Sequence, residues 1–217
     1  MLQFIPWTCN VTLVKATPRP YHHGNLREAL LRAAEKTLET GGVQSISLRE
    51  LSRELGVSHT SPRRHFANKQ ALLDALALRG FERLDEISKR AAKDSGKNLI
   101  AHLTKLGRAY VGFAVKHPAL LSLMFESKHR LGAPRELLEA SDRALSHMRA
   151  VLASGQAKGE IVAGDPVRLS IVVGALLQGL VTISTHGKVK GISLDTLVGE
   201  VIERLVLGLR PRGGRSG

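Results

Sequence analysis

SLRELSRELGVSHTSPRRHF, residues 47–66, is the stretch that decides the fold. Ser47 and Glu50 stand three apart, the spacing of a capping box, and predict a helix start at Ser47. Leu48, Leu51 and Leu55 follow as a buried stripe at helical spacing, and Gly56 stops it. Val57-Ser58 restarts a helix at once, with Ser58 as cap, and this third helix runs through HTSPRRHF until Phe66 returns to the core. Two short helices joined by a tight glycine-containing turn make a helix-turn-helix, whose second helix projects outward. Ser58, His59, Thr60, Ser61, Arg63, Arg64 and His65 lie on that second helix; none is acidic, and of 58–65 only Pro62 lacks a hydrogen-bonding side chain. In a DNA reader this element enters the major groove, with residues near its start against base edges. So polar a helix gains little by forming unless something docks on it.

Outward from that pair the chain reads as helices throughout. Asn25 and Glu28 form a second capping box, and Leu26, Leu30, Ala33, Ala34 and Leu38 fall on one face before Gly41-Gly42. Asn68 caps a fourth helix with Leu72, Leu73, Leu76, Phe81, Leu84 and Ile87 in its stripe, up to the break at DSGKN. Leu99, Leu103, Leu106, Tyr110, Phe113 and Ala114 make the next stripe, ending at His117-Pro118. A short apolar helix carries Leu120, Leu121, Met124 and Phe125; the next opens with Pro134 in its first turn. Asp165-Pro166 opens a helix containing LSIVVGALLQGLVTIST, residues 169–185, which has no charge. Seventeen residues with Gln178 and Thr182 among them are marginal for a bilayer, and a helix buried inside a bundle or dimer fits better. Ser193 caps a last helix with Leu197, Val201, Leu205 and Val206 along it. No alternating β-branched run interrupts the series, so the fold class is all-α.

The 217 residues suffice for one or two domains, with 43% apolar and 24% charged side chains, the balance of a soluble protein. Aromatics at 4% argue against a base-stacking platform or a sugar cleft. Cys9 is the single cysteine, so no internal disulfide forms and a reducing, cytoplasmic setting is expected. The first 24 residues lack the basic start and unbroken apolar core of a secretory signal. Lys and Arg outnumber Asp and Glu by 32 to 19, a net +13 that favours a polyanionic partner without choosing one. The excess is spread along the chain: residues 1–80 carry 11 basic and 6 acidic side chains, residues 81–217 carry 21 and 13. No zinc-ligand spacing, phosphate-cradling glycine loop, nucleophile elbow or paired carboxylate stands out, so neither catalysis, a metal nor a cofactor is expected. A protein that coats DNA without base preference would carry the same charge, and only base specificity separates the two readings.

Residues 24–73 resemble the DNA-binding domain of the Tet-repressor family of bacterial regulators. The likeness lies in LREALLRAAEKTLETGG, in SLRELSRELGVS, and in the spacing of His65, Phe66, Asn68, Lys69, Leu72 and Leu73. The opening YHHGNLR is similar to a subset related to multidrug-efflux repressors. The resemblance implies an N-terminal three-helix helix-turn-helix head, residues 24–70, and a C-terminal ligand-binding and dimerisation bundle, 71–209. A disordered arm, 1–23, and tail, 210–217, flank them. It implies a homodimer with recognition helices in successive major grooves about 34–36 Å apart on an inverted-repeat operator. A small-molecule effector entering the bundle would then change the relation of the heads and release the DNA. By position, Ser58, His59, Thr60 and Ser61 would face bases or nearby phosphates, Arg64 and His65 the backbone at the helix end, and Lys69 and Ser47 phosphates. Tyr21, His22, His23 and Arg27 could add backbone contacts from the arm. The family usually has an aromatic where Arg63 stands, and arginine there could contact the backbone or read guanine. Pro62 removes a helical donor, so the recognition helix is expected to start late or bend.

GRAYVGFAVKHPALLSLMF, residues 107–125, is similar to a regulatory-domain subtype of this family that often carries a Trp–His–Gly signature in its penultimate helix. Here that place reads Gly174, Gln178, Gly179, so two of three differ. Polar or aromatic residues at inward-facing positions nominate a pocket of Tyr110, Phe113, His117, Phe125, His147, Gln178 and Thr182, suited to a mostly apolar ligand. The last two helices are expected to form the dimer interface, because Gly174, Ala175, Gly179 and Ser184 permit close approach. No membrane partner is expected.

Overall fold

The computed structural model describes residues 26–93, 98–185 and 191–211, which fold into eight α-helices and two 3-10 turns with no strand among them. α1 (Leu26–Gly41) turns Leu26, Leu30, Ala33, Ala34 and Leu38 inward, as its spacing predicts. Its expected cap, Asn25, lies outside the described residues, as do the arm residues Tyr21, His22 and His23. The chain leaves α1 at Gly42, whose φ of 70° suits glycine, passes a 3-10 turn (Val43–Ser45) that the sequence did not announce, and buries Ile46.

α2 (Leu48–Glu54) ends at Gly56, with φ 65°. Ser47 stands at its N-cap position, but the predicted capping box is absent: the hydroxyl makes no cap bond, and Glu50 pairs with Arg53 one turn on. The third helix is also corrected. Val57 and Ser58 have no regular structure, residues 59–61 form a turn, and Pro62–Arg64 make one 3-10 turn. The first α-helical bond would need the amide of residue 62 to reach the Ser58 carbonyl, and proline has no N–H to give. The Ser61 amide bonds that carbonyl instead, at 3.0 Å, while the Ser58 hydroxyl, far from capping, bonds those of Thr60 (3.2 Å) and Ser61 (2.7 Å). His65 and Phe66 amides both donate to the Pro62 carbonyl at 2.9 Å, and Phe66 is buried.

α3 (Lys69–Lys93) starts where Asn68 accepts the Ala71 amide at 2.9 Å and runs without a break from the head into the bundle, packing on α1 and on the three helices that follow it. These are α4 (Leu99–Lys116), α5 (Pro118–His129) and α6 (Arg135–Ala157). Asn98 caps α4 through the amides of Ile100 and Ala101; Pro134 is the N-cap of α6 rather than a member of its first turn. Gly80 brings α3 against α5, since a Cβ there would lie 2.5 Å from the Met124 sulfur. α7 (Pro166–Thr185) is capped by Asp165, and α8 (Leu194–Gly208) by Ser193. The buried stripe of α8 is Val198, Ile202 and Val206; Leu197, Val201 and Leu205 are only half-buried. Among the described residues α8 packs mainly on α4 and α7, with only Val198, Ile202 and Val206 buried.

Candidate DNA-reading surface and bundle cavity

Around the 3-10 turn, Ser58, His59, Thr60, Arg63, Arg64 and His65 are exposed and Ser61 is half-buried. The segment therefore presents hydroxyls, imidazoles and two guanidiniums, with no carboxylate among them. Pro62 and Phe66 point the other way and anchor it to the head. Lys69 is the first residue of α3 and Ser47 sits just before α2, so both flank this surface at helix starts. Arg27 lies with its guanidinium 5.5 Å from the Phe66 ring centroid, packed on the back of the segment.

The head is tied to the bundle by charge pairs across α1. Arg79 meets Glu28 at 3.0 Å, and Arg83 grips Glu35 with two bonds, 2.7 and 3.1 Å. Burial alone would push the Glu35 carboxyl up, but Arg83, with Arg79 and His117 behind it, holds it below the usual value. Glu39 accepts the amide of Leu120 at 3.4 Å and stands 4.0 Å from the His117 ring, linking the start of α5 to the end of α1. Near the other end of α5, Arg130 donates to the buried Asp74 at 2.7 Å.

Inside the bundle lies a cavity of about 850 Å³, walled by five helices. Leu84 and Ser88 come from α3, Leu106 and Tyr110 from α4, Leu121, Phe125 and Lys128 from α5, His147 and Met148 from α6, and Ile171, Gly174 and Gln178 from α7. Four of the seven nominated pocket residues therefore converge: Tyr110, Phe125, His147 and Gln178. The Tyr110 hydroxyl donates to Gln178 Oε1 at 2.8 Å, stitching α4 to α7; burial pushes its pKa up to about 12. His147 Nε2 is 2.7 Å from Asp85 Oδ1.

The other three nominated residues do not line the cavity. Phe113 is buried against the His117 ring, centroids 5.4 Å apart, and both stand nearer the head. Thr182, one turn beyond Gln178, donates to the Gln178 carbonyl at 3.0 Å and is exposed. Two cations that the helical pattern did not nominate, Lys128 and Arg149, do line it, with Glu126 and His129 at the rim. Leu121, Phe125 and Lys128 lie at four- and three-residue steps on one face of α5, but that spacing alone does not separate a cavity lysine from one at a solvated helix edge. The cavity is thus apolar with a basic side. A smaller space of about 240 Å³ lies by Leu99, His102 and Gly155. There burial, aided by Lys105 and Lys158, holds the His102 pKa below the usual value, and its Nε2 finds no hydrogen-bond partner among the described residues.

α7 is long and apolar enough to cross a membrane by length and composition. Its inner face, Val173, Leu177, Leu180 and Val181, is buried in the bundle. Its outer face carries Val172 (50% exposed), Leu176 (41%), Gly179 and Ile183 (44%) at steps of four, three and four. That is the spacing of a seam that packs against another helix.

The chain is similar to known proteins along most of its length. Residues 30–76 match the family model described as bacterial regulatory proteins, tetR family, and residues 103–209 match the tetracyclin repressor-like C-terminal domain. The class D tetracycline repressor protein of Escherichia coli is 34% identical over 74 residues, a match spanning about a third of either chain. A solved structure of a Rhodococcus sp. RHA1 protein of unknown function is 40% identical, with a TM-score of 0.82 over 89% of this chain and 100% of that one. The TetR family transcriptional regulator PfmR of Thermus thermophilus shares the fold, at 18% identity and a TM-score of 0.64 over 84% of this chain and 99% of that one.

Proposed function

This chain belongs to the tetR family of bacterial regulatory proteins, and on that premise we propose that it is a cytoplasmic, dimeric, sequence-specific DNA-binding repressor whose grip is released by a small molecule in the bundle cavity. The observation that carries the proposal is that two of the five helices walling the cavity, α3 and α5, also hold the head. α3 begins at Lys69 beside the reading surface and reaches the cavity with Leu84 and Ser88. α5 starts against Glu39 of α1 and lines the cavity with Leu121, Phe125 and Lys128. A ligand that fits better with α5 shifted would move α1, and it would alter DNA affinity only as far as it binds the two arrangements unequally.

In this reading Arg63, Arg64, His65, Lys69 and Ser47 contact the phosphate backbone, and Ser58, His59, Thr60 and Ser61 approach base edges. The 3-10 geometry makes the inserted element short, so few side chains reach the groove floor and phosphate contacts supply most of the affinity. Tyr110, Phe125, His147 and Gln178 take part in holding the effector, while Phe113, His117 and Thr182 do not. The outer stripe of α7, with α8 beside it, receives the same stripe of a second copy and spaces two heads for an inverted repeat.

The deciding test is a pull-down of sheared genomic DNA at physiological salt, followed by sequencing. Enrichment of one or a few inverted repeats supports the proposal. Uniform recovery by protein refolded free of ligand would point instead to a general DNA-coating protein, the second reading that a net charge of +13 allows.

A further inference from the structure

Lys128 is the one feature of the cavity that an apolar ligand leaves unexplained. The residue is half-buried, and its ammonium lies 4.6 Å from the Phe125 ring centroid and 6.0 Å from that of Phe81, against the apolar wall. Among the described residues no carboxylate lies within ion-pair distance of it. The acids around the cavity are engaged elsewhere: Asp142 holds Arg149 at 2.6 Å and Asp85 holds His147 at 2.7 Å. Glu126, on the same helix, is exposed at the rim and forms no pair with it. Burial, and the second cation Arg149 facing it from α6, hold the Lys128 pKa below its usual value. A cation so placed is destabilised until an anion joins it.

Resting on the reading of this cavity as the effector site, we propose that the ligand is an amphiphile with one anionic group, a carboxylate, paired with Lys128, and an apolar body lying along Leu84, Leu121, Phe125 and Met148. The volume of about 850 Å³ suits a molecule of that size. The two rings beside the ammonium shield part of the pair from water, so the charge-assisted bond is stronger than at an open surface.

The test compares decanoate with decan-1-ol, both below their aggregation limits, by displacement of a neutral apolar fluorophore from the full-length protein. Decanoate is expected to bind at least about tenfold more tightly than the alcohol, one charge-assisted hydrogen bond's difference. Lys128→Met abolishes that preference, and continued displacement of the fluorophore by decan-1-ol shows that the variant's cavity is still formed. Lys128→Arg retains most of it. Equal affinities in the wild type, or a preference that survives Lys128→Met, overturn the proposal. Release of a pulled-down DNA duplex is followed in the same samples to separate the two ideas. Decanoate that binds through Lys128 without releasing DNA upholds the anionic site and removes the effector role. Release by alcohol and acid alike, with equal affinities, keeps the effector role and removes the anionic site.

Discussion

The 57–66 segment and the outer face of α7 both leave surface that one folded chain does not use, and the two surfaces are opposite in chemistry. The first exposes Ser58, His59, Thr60, Arg63, Arg64 and His65, held by Pro62 and Phe66 beneath; the second exposes Val172, Leu176 and Ile183 around Gly179. Charged and hydroxyl-bearing side chains stay hydrated at little cost and wait for a polyanion. Apolar side chains in a continuous row cost free energy every moment they face water, so their partner must be present permanently. On the function proposed above, DNA is therefore the intermittent partner of this molecule and a second copy of the chain its standing one.

The largest effect should come from the seam. Gly179→Glu sets a charge in the middle of the Val172–Leu176–Ile183 row, where no neighbouring atom lies within 4 Å to clash in the single chain. The subunit should therefore fold and fail to pair. Sedimentation velocity should find monomers, and operator affinity should fall by two or more orders of magnitude, about what linking two heads contributes. An intact dimer would move the interface elsewhere and dissolve the comparison. Next come single phosphate contacts on the head. Arg64→Ala and Lys69→Ala should each weaken binding about equally for all sequences and lower the slope of log affinity against log salt by about 0.9. A salt slope that does not change would strike that residue from the phosphate contacts.

The two regions were not equally legible in the sequence. Helical stripes such as Leu72–Leu76–Leu84 and stops such as Gly42 and Gly56 depend on local spacing and φ, and these locate α1 to α3 closely. The recognition segment depends on a competition: its hydroxyls and helical family pattern favour a helix, and Pro62 forbids the bond that would start one. Ser47 shows the same limit, because a capping box needs Glu50 to turn back and Arg53 draws it forward. Of the cavity, inward aromatics and Gln178 were readable from periodicity. Lys128 was not, because nothing local says that Phe81, fixed two helices earlier in the chain, closes over an α5 lysine. Phe113 and His117 shared the right face of α4 but one or two turns too near the head.

The junction between the regions should give a smaller effect, visible against pH. The folded Glu35 carboxyl sits below the ordinary 4.5, so its contribution is complete above that value and is lost as pH falls through the folded pKa. Glu35→Gln should lower the unfolding midpoint at pH 7 by a few degrees, as about 1 kcal/mol does in a chain of this size, and flatten the loss of stability below pH 4.5. His102 runs the other way. Its folded pKa is below 6.5, so protonation favours the unfolded chain, and stability declines as pH drops below 6.5 until the folded pKa is passed. His102→Gln should remove that decline between neutrality and mild acid while leaving the Glu35 step in place. Identical acid profiles for wild type and variant would exclude His102 as its source.

Least in size, and sharpest for the comparison, is a change to the hydrogen bond that joins α4 to α7. Tyr110→Phe deletes the 2.8 Å bond to Gln178 without altering shape, and Gln178 is exposed enough to find water instead. The stability cost should therefore be at most about 1 kcal/mol. Dimerisation is assigned by the proposal to the outer face and should not change. Ligand affinity belongs to the cavity, which Tyr110 and Gln178 close between α4 and α7, and should change even though the lost bond joins protein to protein. A variant with weaker pairing and unaltered ligand binding would show that the two faces of α7 are not separable. One helix would then be transmitting between cavity and seam, and the route through α5 to Glu39 would lose its privileged place.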